Sequence, residues 1–111
     1  MLLTPTQAVS QDSSLNEKIK LTPGQTVSIR NTNLSLTLLK ITPPPEGSFD
    51  YPTKAELEVR SGTSSEKIYF IAGVTATEEV EAKLRVKELF GFKITREELR
   101  PEWIILRVQK L

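Results

Sequence analysis

Cysteine and histidine are both absent from the 111 residues. Without cysteine there is no disulfide, no thiolate metal site and no thiol nucleophile. The lack of histidine removes the commonest general base and the commonest imidazole metal ligand. Any chemistry here must rest on Asp, Glu, Lys, Arg, Tyr, Ser or Thr. Aromatic residues are only 6% of the chain, so the interior must be built from Leu, Ile and Val. Charge of one sign is also missing, with 15 basic against 14 acidic residues. A net charge of +1 gives no global attraction to nucleic acid or to anionic lipid. No apolar run approaches the roughly 18 residues of a membrane-spanning helix. Residues 1–3 are too short for the apolar core of a signal peptide.

The length favours a single domain. Residues 1–16, rich in Thr, Gln and Ser, read as a flexible N-terminal segment, of the kind that follows a removed signal or a lipid anchor. Residues 17–111 read as one β domain, because apolar and polar residues alternate with the period of a strand that buries one face. Ile19 and Leu21 alternate with lysines, Pro23-Gly24 suits a type II turn, and Val27 and Ile29 resume the pattern. That predicts a first hairpin over 17–30. Arg30 to Asn33 make a second turn. Leu34, Leu36, Leu38 and Ile41 define a long strand, with a bulge or two-sided burial at Leu39, where alternation breaks.

Further on, Ala55, Leu57 and Val59 alternate with charges, and 61–65 form a flexible turn. Residues 67–72, apolar on both sides, read as a central strand ending at Gly73. Residues 75–87 are ambiguous. Their composition and a Thr75/Glu78 capping box favour helix. Val80, Ala82, Leu84 and Val86 nevertheless alternate strictly with charged residues, and strand is the preferred reading. Gly91, between Phe90 and Phe92, marks a bend or bulge. Thr95 to Glu98 suggest one short helical turn, halted by Pro101. Residues 103–108 form the last strand. The expected fold is all-β: an antiparallel β-sandwich or closed barrel of seven to eight strands, with at most one short helical turn. The expected core comprises Ile19, Leu21, Val27, Ile29, Leu36, Leu38, Leu57, Val59, Phe70, Leu84, Val86, Ile94, Leu106 and Val108.

Candidate chemistry reduces mostly to ordinary surface. Glu78, Glu79, Glu81, Glu97 and Glu98 lie close in sequence, but a glycosidase needs two carboxylates facing each other across a cleft. On a strand, Glu79 and Glu81 are simply its wet face. Ser61, Ser64 and Ser65 lack a nucleophile-elbow context and a histidine. The glycines are isolated and cradle no phosphate. Asp12 and Asp50, the two aspartates, are too far apart to begin a calcium loop. Asn33-Leu34-Ser35 matches the glycosylation acceptor pattern and overlaps a turn into a strand. The reading is therefore non-enzymatic, with no cofactor and no catalytic or metal residues.

Two surfaces remain. The loop over 43–52 holds Pro43, Pro44 and Pro45, a stiff extended run, and then Phe49 and Tyr51, which either present an exposed tip to a partner or fold back over the core. If 75–87 is a strand, Lys83, Arg85 and Lys87 share one basic face, with Tyr69 and Trp103 as nearby stacking rings, suited to a small nucleic-acid-binding barrel. Glu79 and Glu81 begin that same face, which argues for mixed solvated charge.

The run Lys20-Leu21-Thr22-Pro23-Gly24-Gln25-Thr26-Val27-Ser28-Ile29, followed by Leu34-Ser35-Leu36-Thr37-Leu38-Leu39-Lys40-Ile41, resembles the opening of small secreted bacterial all-β domains. Gly91-Phe92-Lys93-Ile94 and the final Ile104, Leu106 and Val108 are similar to their closing strands. The resemblance implies an all-β fold and a periplasmic or extracellular location, and it supplies no activity. The resulting expectation is a binding or accessory module whose partner is a protein, engaged through loops or a sheet edge outside the cytoplasm.

Overall fold

A computed structural model describes residues 10–45, 52–73 and 77–111. The described residues form nine strands in two sheets and one short helix, a sandwich-like all-β domain that does not close into a barrel. One sheet contains, in spatial order, β1 (Ser10–Ser13), β3 (Thr26–Ile29), β4 (Leu34–Thr42), β5 (Thr53–Ser61) and β6 (Ser64–Ala72). The second contains β2 (Lys18–Leu21), β9 (Ile104–Lys110), β8 (Phe92–Leu99) and β7 (Val86–Leu89). All neighbours are antiparallel except β1 and β3. Residues 10–13, within the stretch expected as a lead-in, thus supply a strand.

Alternation sets which residues face inward. Ile19, Leu21, Val27, Ile29, Leu34, Leu36, Leu38, Ala55, Leu57, Val59, Ile68, Phe70, Ile94, Leu99, Ile104, Leu106 and Val108 make one apolar cluster between the sheets. Twelve of the fourteen expected core residues are among them. Leu84 and Val86 are only half-buried. Leu34, Ala55, Ile68, Leu99 and Ile104 complete the core and continue the same inward rows.

Several local expectations meet the structure directly. The Pro23-Gly24 turn forms, with Gly24 at φ 92° and Gln25 N–H donating to Thr22 O at 3.0 Å. Asn31 takes φ 62°. The ladder between β4 and β5 skips Leu39, passing from Leu38↔Leu57 to Lys40↔Glu56, so the bulge is there.

Other expectations are corrected. The strands flanking Pro23-Gly24 are not a hairpin: β2 pairs with β9, whereas β3 pairs with β4. The turn is a corner between sheets, and Gly24 N–H donates to Leu38 O of β4 at 2.7 Å. Two strands facing a common interior show the same alternation whether they are paired or opposed across the sandwich. The strand containing Ile68, Phe70 and Ile71 is not central but the edge strand β6, with Tyr69 41% exposed on the outer face. The helical turn expected at 95–98 is part of β8, which has a register shift between Arg96 and Glu98.

The strand expected across 80–86 is the helix α1 (Glu78–Leu84). Thr77 caps it, its hydroxyl accepting from Val80 N–H at 3.3 Å. Glu78, Glu79 and Glu81 occupy its first turn, Lys83 its last, and Arg85 pairs with Glu81 one turn back at 3.2 Å. Each of these favours helix. No residue of α1 is buried, so its alternation served no core, and local propensity decided the conformation.

Candidate functional site

The hairpin of β5 and β6 turns in two residues, Gly62 and Thr63. Gly62 has φ 61° at the first position, the left-handed requirement of a type II′ turn. Ser61↔Ser64 closes this turn and must exchange both backbone hydrogen bonds. From there the register alternates along the strand. Glu66, Ile68, Phe70 and Ala72 bond toward β5, opposite Val59, Leu57, Ala55 and Thr53. Ser65, Lys67, Tyr69 and Ile71 therefore turn their N–H and C=O groups away from the sheet. Because β6 is the last strand, those groups have no backbone partner among the described residues.

Among the described residues, the other edge strands, β1, β2 and β7, span four residues each, whereas β6 spans nine. A long unpaired edge is a template for another strand, commonly blunted by lysine or proline. Here Lys67 is the one basic residue along β6. The outer side chains beside this edge are Ser65, Lys67, Tyr69 and Ile71. Lys54 Nζ lies 4.5 Å from the centre of the Tyr69 ring. Ile68 and Phe70 point into the core.

A second cluster lies on the outer face of the other sheet. Lys20 Nζ sits 4.3 Å above the Trp103 ring, and Trp103 Nε1–H donates to Glu98 Oε2 at 2.9 Å. Arg100 reaches Glu98 Oε1 at 3.4 Å. The Trp103 hydrogen bond, then Arg100 and Lys20, hold the Glu98 carboxyl below its ordinary range. These groups satisfy one another.

The third cluster is beneath α1. Arg96 projects from β8 between the sheets, 7% exposed, and donates from Nη2 to Glu81 Oε1. Arg96 Nε is buried without a partner. The Arg96 hydrogen bond, reinforced by Arg85, holds the Glu81 carboxyl below its ordinary range. A shallow cleft of about 270 Å³ alongside is lined by Glu78, Glu81, Ala82 and Arg85. Chain tracing through Phe92 and Ile94 would place Arg96 on the inner face; a helical reading of 95–98 conceals it.

The expected site residues are dispersed. Lys83 is on α1, Arg85 is its C-cap, and Lys87 is on β7 with Nζ 5.9 Å from the Phe70 ring. They do not share a strand face, because the strand that would have aligned them is a helix. Opposing Ile94, Lys87 takes the inner side of its sheet, and Val86, opposing Thr95, takes the outer side. Tyr69 is on β6 of one sheet, whereas Trp103 immediately precedes β9 of the other. Pro43, Pro44 and Pro45 follow β4, the outer two exposed and Pro44 half-buried. Phe49 and Tyr51 lie outside the described residues.

Among the described residues, no group of three or more carboxylates is placed to hold a metal ion, and no helix is long and apolar enough to cross a membrane. The fold and this edge define, among the described residues, an all-β sandwich with one long open strand. The chain matches no family model, and no curated protein or solved structure shows significant similarity to it.

Proposed function

We propose that this chain is a non-enzymatic binding module that engages a protein partner by strand addition at β6, outside the cytoplasm. The supporting observation is the nine-residue edge on which Ser65, Lys67, Tyr69 and Ile71 turn outward N–H and C=O groups that have no backbone partner among the described residues. Main-chain hydrogen bonds to an extended segment supply affinity in this mode, and alternate side chains supply selectivity. Lys67, Tyr69 and Ile71 would meet the partner's outward side chains, favouring an aromatic or acidic residue beside Lys67 and disfavouring a basic one. The placement outside the cytoplasm is supported by the resemblance of the opening strands to secreted domains, and fractionation of the producing cells tests it. The basic-face reading has lost its geometry, and the barrel it required is an open sandwich.

Selection of binders from a library of displayed extended peptides tests the module itself. The expected binders slow amide exchange at Ser65, Lys67, Tyr69 and Ile71. They still bind a variant lacking residues 46–50 and fail to bind Tyr69→Pro. Binders that leave those four amides exchanging freely would place recognition elsewhere and remove the proposal.

A further inference from the structure

We infer that the partner strand at β6 is β6 of a second copy, giving a two-fold dimer with a continuous sheet across the two chains. This rests on the reading of β6 as a pairing edge and adds the identity of its occupant. The argument is register. Ile68 is the midpoint of Ser64–Ala72, and the outward-bonding residues Ser65, Lys67, Tyr69 and Ile71 are symmetric about it. An antiparallel dyad through Ile68 therefore overlaps the whole strand. It sets Ser65 against the partner's Ile71 and Lys67 against the partner's Tyr69. Every outward N–H and C=O then meets its counterpart, as an antiparallel ladder demands.

Charge selects the same register. A dyad at Lys67 opposes two lysines and a dyad at Glu66 opposes two carboxylates, both unfavourable cross-strand pairs. Dyads at Tyr69 or Phe70 shorten the overlap. The Ile68 register instead lays an ammonium beside the exposed ring of the partner's Tyr69, an attractive cation–π pair. Glu66 falls opposite the partner's Phe70; in the single chain Glu66 is exposed and the Phe70 ring is already covered by its own core.

The absence of cysteine makes the register measurable. Ile68 bonds toward β5, so across the dyad it forms a non-hydrogen-bonded pair with its own copy, with Cα atoms about 4.5 Å apart. That separation suits a disulfide. Residue 67 and its own copy are offset by two positions either way, roughly 8 Å, which is too far to bridge without backbone movement. Ile68→Cys is expected to oxidise to a disulfide dimer, and Lys67→Cys to do so about tenfold more slowly or not at all. Sedimentation equilibrium of the unmodified chain should show a concentration-dependent dimer. Tyr69→Pro should be monomeric with an unchanged far-ultraviolet spectrum, because that N–H is outside the β5–β6 ladder. A chain that stays monomeric at every concentration, with both cysteine variants oxidising equally slowly, overturns the dimer. If such a monomer still binds selected extended peptides through the same four amides, only self-pairing is lost. If it binds none, the binding module falls as well.

Discussion

Arg96 carries a charge into a sandwich lined mostly by aliphatic side chains, and Glu81 is the carboxylate that meets it. Removing one member of such a pair is not equivalent to removing the other. Glu81→Gln leaves a guanidinium buried with weaker acceptors and should cost about 1–2 kcal/mol, reduced by the solvent reaching Glu81. Arg96→Met removes the buried charge and its unpartnered Nε–H while keeping volume. It should change stability by less than about 1 kcal/mol, since apolar replacement of buried ionic groups is often neutral. Urea unfolding of the two variants checks the asymmetry. The same carboxylate sets a pH dependence. Its folded pKa is depressed, so its stabilising contribution is present above the ordinary carboxylate range. That contribution is lost as pH falls through the depressed folded value. Acid titration should therefore loosen α1 in the wild type, and Glu81→Gln should flatten that part of the stability profile.

At the scale of single elements, the turns were the most legible features and strand partners the least. Pro23-Gly24, Asn31, the bulge at Leu39 and the bend at Gly91 are all encoded by backbone preferences that act within two or three residues. Phe90 and Gly91 have φ 54° and 82°, so β7 and β8 join through a type I′ turn. Gly62→Ala, which forces a Cβ into left-handed backbone at the β5–β6 turn, should lower stability by about 1–2 kcal/mol. Thermal unfolding checks it, and nothing lies close enough to Gly62 to add a clash. Residues 78–84 show the opposite limit. Their alternation matched a strand and their composition matched a helix, and because no residue of the segment is buried, local helix propensity decided the outcome. Thr77→Ala should reduce helicity of α1 locally by about 1 kcal/mol with little effect on the sandwich, measurable by amide exchange of Glu81 and Ala82.

For the molecule as a whole, stability should concentrate where the two sheets press most apolar surface together. Phe70 is fully buried on the edge strand, so Phe70→Ala should cost about 3–5 kcal/mol despite the exposed backbone beside it. Denaturant titration tests this, and the outcome separates the role of β6 in the core from its role as an edge. Self-pairing and a foreign strand would use the same N–H and C=O groups. A bound extended peptide should therefore dissociate the dimer in proportion to its occupancy, which sedimentation can follow directly.

The chain by itself determined most of the residues that face inward, the turns at Pro23-Gly24, Asn31 and Gly91, and that the architecture is all-β, because pleating and turn preferences are local. Tertiary structure alone decided that β2 and β3 belong to different sheets and that β6 lies at an edge. Those outcomes depend on which distant strand occupies the neighbouring position. Periodicity reports the face a residue presents and carries no information about the strand beside it.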